Sequence, residues 1–169
     1  AVSVTTLDAA LARKLEPRAA TPSRRLATLK LLAESGVPAM VMAAPMTPGL
    51  NDQELEAILQ AAEHAGASGA GYVLLRLPLE IKDLFGEWLT EHAPDRAARV
   101  EALIRETRGG KLYDPEFKPR MRGEGVYAKL LAERFKLAVR KLGLVTPRAP
   151  LRCDLCRAPG EIAQRRLAL

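Results

Sequence analysis

Three apolar segments recur at one interval, and this limits the architectures open to the chain. Residues 2–6, 37–44 and 71–78 each read as a strand, and their markers Ser3, Val37 and Gly71 stand 34 residues apart. The second and third are unbroken apolar runs, the pattern of strands covered on both faces in a parallel sheet. Helical patterns fill the intervals. Thr21 is a good N-cap with Pro22 at the first helical position, and Leu26, Leu29, Leu32 and Ala33 recur at helical spacing up to Gly36. Asn51 is expected to cap the next helix, with Glu54 three residues on as its reciprocal partner. Leu55, Ile58, Leu59 and Ala62 form that helix's buried stripe before Gly66. Strands alternating with helices in this way are βαβ units, so the fold class is α/β with a parallel sheet.

The third run carries a charge that needs a reason. Side chains alternate along a strand, so Leu75 and Leu77 share one side while Leu74, Arg76 and Pro78 share the other. If the sheet belongs to a (β/α) barrel, carboxyl strand ends form the reactive face, and Arg76 there is a site candidate with five donors suited to a carboxylate or phosphate. An internal ion pair with Glu80 or Asp83, or an arginine reaching out to water, accounts for it equally well. Ser3 and Thr5 share one face of the first strand and could hydrogen-bond a ligand, or be ordinary polar alternation.

Beyond Pro78 the pattern turns helical, around residues 85–92, 95–108 and 126–142. In the last of these, Tyr127, Leu131, Ala138 and Leu142 form the apolar face and Lys129, Arg140 and Lys141 lie outside. A glycine-bounded basic loop lies between. The expected division is residues 1–80 for strands and their helices, 81–143 for a helical extension with the basic loop, and 144–169 for a loosely ordered basic tail.

Charge follows the same division. The chain has a formal charge of +6; residues 1–65 carry −1 and residues 66–169 carry +7. An anionic partner is therefore plausible for the second half, and Lys111, Lys118, Arg120 and Arg122, interleaved with Tyr113 and Phe117, have the pattern of a nucleic-acid strand contact. A basic surface loop with inward-packed rings fits the same residues. No apolar run reaches the ~18 residues of a membrane span, and no leader pattern opens the chain, so a soluble, cytoplasmic protein without membrane contact is expected. Cys153 and Cys156 have a two-residue spacing but no second ligand pair, so no metal site is assigned. Three strands cannot close a barrel, and the first would lack a neighbour. Upstream strands are expected, making this the carboxyl half of a larger barrel.

Several stretches together resemble one family. Residues 2–8 (VSVTTLD), 15–19 (LEPRA), 44–52 (APMTPGLND), 75–78 (LRLP) and 120–125 (RMRGEG) are similar to those of spore photoproduct lyase-like, or DNA repair photolyase-like, radical S-adenosylmethionine proteins. The resemblance covers most of residues 1–143. It implies a partial (β/α)6 TIM-like barrel, of which this chain would hold the fourth, fifth and sixth strands, followed by the basic helical extension.

The resemblance further implies S-adenosylmethionine and a [4Fe-4S] cluster as cofactors, a 5′-deoxyadenosyl radical as the reactive species, a flavodoxin or ferredoxin as electron donor, and a nucleic acid as one candidate substrate. Ser3, with Thr5 beside it, would match the cofactor contact on the fourth strand. Pro45, Asn51 and the turn between them would border the cofactor, and Arg76 would stand at the end of the sixth strand beside the reaction. Lys118, Arg120 and Arg122 would face substrate. The family's Cys-x3-Cys-x2-Cys loop is not in this sequence, so the chain alone is not expected to perform radical chemistry. The alternative is a non-catalytic basic nucleic-acid-binding module on a βα scaffold.

Overall fold

The structure, a computed structural model, describes residues 1–113, 115–116 and 119–145. It is a mixed α/β fold around a small parallel sheet. Strands β1 (Val2–Val4), β2 (Met40–Met46) and β3 (Gly69–Leu74) lie in the order β1-β2-β3, all parallel. Helices α1 (Ala9–Leu15) and α2 (Pro22–Glu34) connect β1 to β2, and α3 (Leu55–His64) connects β2 to β3. The chain goes on into α4 (Ile81–His92), α5 (Pro94–Glu106), the short α6 (Pro119–Arg122) and α7 (Gly125–Lys141). No described helix is long and apolar enough to cross a membrane.

Local chemistry explains the boundaries. Thr21 caps α2 by accepting from the Arg24 amide, with Pro22 in the first turn. The second strand starts at Met40 rather than at residue 37, because the Val37 amide closes the end of α2 on Leu32 O and Pro38 has no N–H to give a ladder. The third strand starts earlier than expected, at Gly69, and ends at Leu74. Past that point Leu75 N still reaches Met46 O, while Leu75 O accepts from Arg108, so Arg76 stands beyond the last ladder residue. Gly66 has φ +87°, and a Cβ there would lie 2.5 Å from that of Ala33, so the α3 turn needs a glycine to pass α2.

Register divides the sheet into two unlike faces. Val4, Ala43 and Tyr72 line up across the strands, as do Val41 and Ala70, and this face packs against Leu29 of α2, the stripe Leu55, Ile58, Leu59 and Ala62 of α3, and Leu131 and Phe135 of α7. The other face carries Ser3, Met42 and Gly71 in one row and Met40 and Gly69 in the next. Ser3 is exposed, Met40, Met42 and Val73 are half-buried, and none of these apolar residues belongs to either core cluster. A second cluster joins Leu50, Leu77, Leu89, Val100 and Ile104, with Leu11, Leu15, Phe85 and Trp88 against it, tying α4 and α5 to the segments that leave the strands.

The last helix buries Ala128, Leu131, Phe135, Ala138 and Val139. Tyr127, expected on that apolar face, is half-buried and turns its hydroxyl to Asp52. Leu144 is buried and Val145 pairs in parallel with Gly69, so the first two residues of the expected loose tail are ordered against β3. Residues 146–169, with Cys153 and Cys156, lie outside the described residues.

Candidate functional site

In a parallel sheet the carboxyl ends of all strands emerge together, and here those of β1 and β2 are held by one buried side chain. Asn51 is completely buried. Its Oδ1 accepts from Thr47 N at 2.7 Å, and its Nδ2 donates to Thr5 O at 2.7 Å and Pro45 O at 3.0 Å. One amide thus joins the end of β1, the end of β2 and its own turn. This replaces the expected capping box: Asn51 makes no side-chain cap, residues Asp52–Glu54 form a 3-10 turn, and Glu54 accepts instead from Thr6 Oγ1 and Leu7 N, both at 2.7 Å. The peptide bond before Pro45 is cis.

Thr5 is buried as well. Its hydroxyl lies 2.7 Å from Glu16 Oε2 and 3.1 Å from Ala44 O, and Glu16 also receives Arg25 at 3.1 Å. Arg25 donates in turn to Ser3 O at 3.0 Å. The polar atoms of Thr5 and Asn51 are therefore engaged within the fold, whereas the Ser3 side chain is exposed on the face that no helix covers among the described residues.

Arg76 makes no ion pair among the described residues, with Glu80 and Asp83 included. Its Nη1 lies 3.8 Å from Met121 Sδ, a weak acceptor, and its Nε is buried without a partner among the described residues. A partly buried guanidinium with donors to spare is costly unless an anion completes it. Leu79, three residues on, holds φ +50° while 79 % exposed, a strained non-glycine residue next to the candidate. Arg122 stacks over the Tyr72 ring at 4.2 Å. Arg120 stands in α6, and Lys118 lies outside the described residues.

A second network ties α7 to the turn after β2. Tyr127 donates to Asp52 Oδ2 at 2.6 Å, Gly49 N donates to Asp52 Oδ1 at 2.7 Å, and Arg134 binds Glu56 through Nη2 and Nε at 2.6 and 2.7 Å and Asp52 O at 3.1 Å. The hydrogen bond from Arg134 holds the Glu56 carboxyl below its usual range. Burial, and then the Asp52 hydrogen bond, push the Tyr127 phenol up to about 12. A raised phenol pKa favours the neutral form in the folded state, so this stability is complete below the unfolded value of ~10 and is lost as pH rises toward the folded value. Chemical denaturation across that alkaline window should show a steeper loss of stability for the parent than for Tyr127→Phe. Equal slopes would contradict it. Arg134 carries no sequence signature, and Asp52 and Tyr127 read only as turn and apolar-face residues, yet Asp52 and Glu56 stand four apart, which aims two carboxylates the same way and calls for a cation.

Among the described residues no group of three His, Cys, Asp or Glu side chains is placed to hold a metal ion. The whole sequence has two cysteines, too few for the thiolate set of a [4Fe-4S] cluster. This chain's donors thus do not fit a cluster. Ser3 is exposed on the open face, while the Arg76 guanidinium lies at the strand end against Met121 of α6.

No family model matches the chain, and no solved structure matches it. Uncharacterized protein Mb2609c of Mycobacterium bovis and uncharacterized protein Rv2578c of Mycobacterium tuberculosis are each 31% identical to it over 124 residues, 72% of this chain and 36% of theirs. The chain spans about a third of the length of the curated relatives it matches.

Proposed function

We propose that this chain forms the last three strands of a partial (β/α)6 radical S-adenosylmethionine barrel of the spore photoproduct lyase-like kind. Its share of the work is to bind S-adenosylmethionine and substrate, while the cluster ligands come from elsewhere in the protein. One observation carries the reading: the parallel strands run in sequential order and, among the described residues, helices pack on one face only. All-parallel sheets are almost always covered on both faces. A doubly wound sheet would put helices on both sides, whereas a barrel wall keeps its inner face for other strands and for ligand. The face of Ser3, Met42 and Gly71 corresponds to that inner wall.

S-adenosylmethionine, if held here by Ser3 and bordered by the Pro45 turn, would supply the hydrogen-abstracting chemistry together with a cluster carried elsewhere in the protein. The residues of this chain orient and enclose. Ser3 offers its hydroxyl to the cofactor on the inner face, Arg76 offers its fork of donors to an anionic group at the rim, and Asn51 holds the Pro45 turn in place between them. Anaerobic reconstitution of the full-length protein with iron, sulfide and a low-potential reductant should yield 5′-deoxyadenosine from S-adenosylmethionine. A cluster-loaded protein that leaves S-adenosylmethionine uncleaved would overturn the proposal.

A further inference from the structure

Two helices of this chain carry an apolar face that the fold leaves open, and the charges beside the two faces are opposite in sign. On α7 the stripe of Leu131, Phe135 and Ala138 is buried in the core, while Val126, Leu130 and Leu137, spaced i, i+4 and i+11, form another stripe on the outer side. Each of these three is more than half exposed. Lys129, Arg140 and Lys141 flank the stripe, all exposed and all without an ion pair among the described residues. Glu133 is the one acid of α7, and Lys136 already holds it at 2.6 Å. Beside Leu137 lies a cavity of about 290 Å³ whose walls include Ala138, Lys141 and Leu142 of this region and Gln60 of α3.

Helix α4 is the counterpart. It turns Phe85 and Leu89 inward to α5, but Leu84 is more than half exposed, and Glu87 and Glu91 follow at i+3 and i+7 on the same side, with Asp83 alongside. None of these acids has an ion pair among the described residues, and Lys82 is the only lysine or arginine on the helix. Apolar residues exposed singly need no partner, whereas an apolar stripe rimmed by charge marks an interaction surface.

Charge selects the occupant. Two copies of α7 laid together would set lysines and arginines against one another, and such like-charge contacts are costly. An acidic helix would pair them instead, and α4 has the matching spacing. With Leu84 at the cavity beside Leu137 and the helices antiparallel, Glu91 stands about 10 Å along α4 from Leu84, and Lys129 about 12 Å along α7 from Leu137. Asp83, next to Leu84, then falls toward Arg140 and Lys141.

We propose that α7 of one copy of this protein receives α4 of a second copy, Leu84 seated on the stripe of Leu130 and Leu137 and the acids of α4 paired with Lys129, Arg140 and Lys141. A two-fold axis makes this contact twice, α4 on α7 and α7 on α4, and closes the assembly as a dimer. The contact needs neither S-adenosylmethionine nor a cluster.

Sedimentation velocity of the full-length protein over about 1–100 μM measures the association. The parent should dimerise, and raising the ionic strength from about 0.05 to about 0.5 M should weaken the dimer about tenfold or more. Glu87→Lys with Glu91→Lys on α4, or Lys129→Glu with Arg140→Glu on α7, should each keep the parent melting temperature, because all four residues are exposed and unpaired among the described residues, and each should leave a monomer. An equimolar mixture of the two reversed proteins keeps one native contact and gains one with both signs exchanged, so the dimer should return. It should return as well in a single chain carrying all four substitutions. A parent that stays monomeric to about 100 μM would overturn the proposal and give α7 to another segment of the polypeptide or to a different acidic protein. An α7 reversal that breaks the dimer while the α4 reversal does not would overturn it in favour of α7 pairing with itself, and reversed proteins that fail to associate when mixed would remove the α4 contact outright.

Discussion

Asn51→Ala should cost about 4 kcal/mol of unfolding free energy, the largest stability loss expected from any single truncation near the strand ends. The substitution leaves three backbone groups without a partner, namely Thr47 N, Thr5 O and Pro45 O. Each buried polar group stranded in this way costs about 1–3 kcal/mol, and water entering the space recovers part of it. Asn51→Asp is the sharper test. It keeps the acceptor for Thr47 N but places a carboxylate oxygen against two carbonyls, with no described cation contacting residue 51, so it should be no milder than alanine. Urea denaturation followed by circular dichroism measures both. A loss below about 1 kcal/mol for either variant would mean that the strand ends are held by the apolar packing of Leu50 and Leu55 and not by the amide.

The same residue shows where sequence reading stops. Hydrophobic period and turn residues gave the strands, the helices and the parallel order, because each of these follows from patterns a few residues long. Thr21 with Pro22 behaved as a cap because its partner, Arg24 N, is three residues away. Asn51 and Glu54 have the same local form, yet Asn51 reaches Thr5 as well as its own turn, and Glu54 reaches Thr6 and Leu7, all three more than forty residues upstream. Burial at the strand ends outbid the local cap, since an unmet buried carbonyl costs more than a frayed helix start in contact with water. The Tyr127–Asp52 and Arg134–Glu56 bonds leave no local pattern for the same reason, spanning 75 and 78 residues.

The site was legible in its unusual residue and not in its supports. Arg76 stood out because a charge inside an apolar run has few explanations, and the structure removes one of them, the ion pair with Glu80 or Asp83, among the described residues. Ser3 was legible as one half of an alternation, but not that Ser3 would face open space while Thr5, two residues on, would be buried beside Glu16. Alternation predicts a shared face only while the strand continues, and β1 ends at Val4.

Arg76→Ala should leave the fold intact and lower turnover of the full-length protein about a hundredfold or more, the scale of losing one preorganised charged donor at a reacting centre. The two halves of this expectation have separate grounds. Stability should hold or rise slightly, because among the described residues the guanidinium lacks an ion-pair partner, its Nη1 meets a thioether at 3.8 Å, and its buried Nε meets nothing. Activity should fall because the proposed reaction needs a fixed cation at the rim of the sheet, where Arg76 leaves β3. Arg76→Lys should recover little of it: a point charge on a flexible stem replaces neither the fork of donors nor its in-plane geometry. Differential scanning fluorimetry and 5′-deoxyadenosine release, measured on the same preparations, check the pair of outcomes. Unfolding of Arg76→Ala would make the arginine a structural element of the α6 contact, and full turnover with a normal melting temperature would remove it from the site.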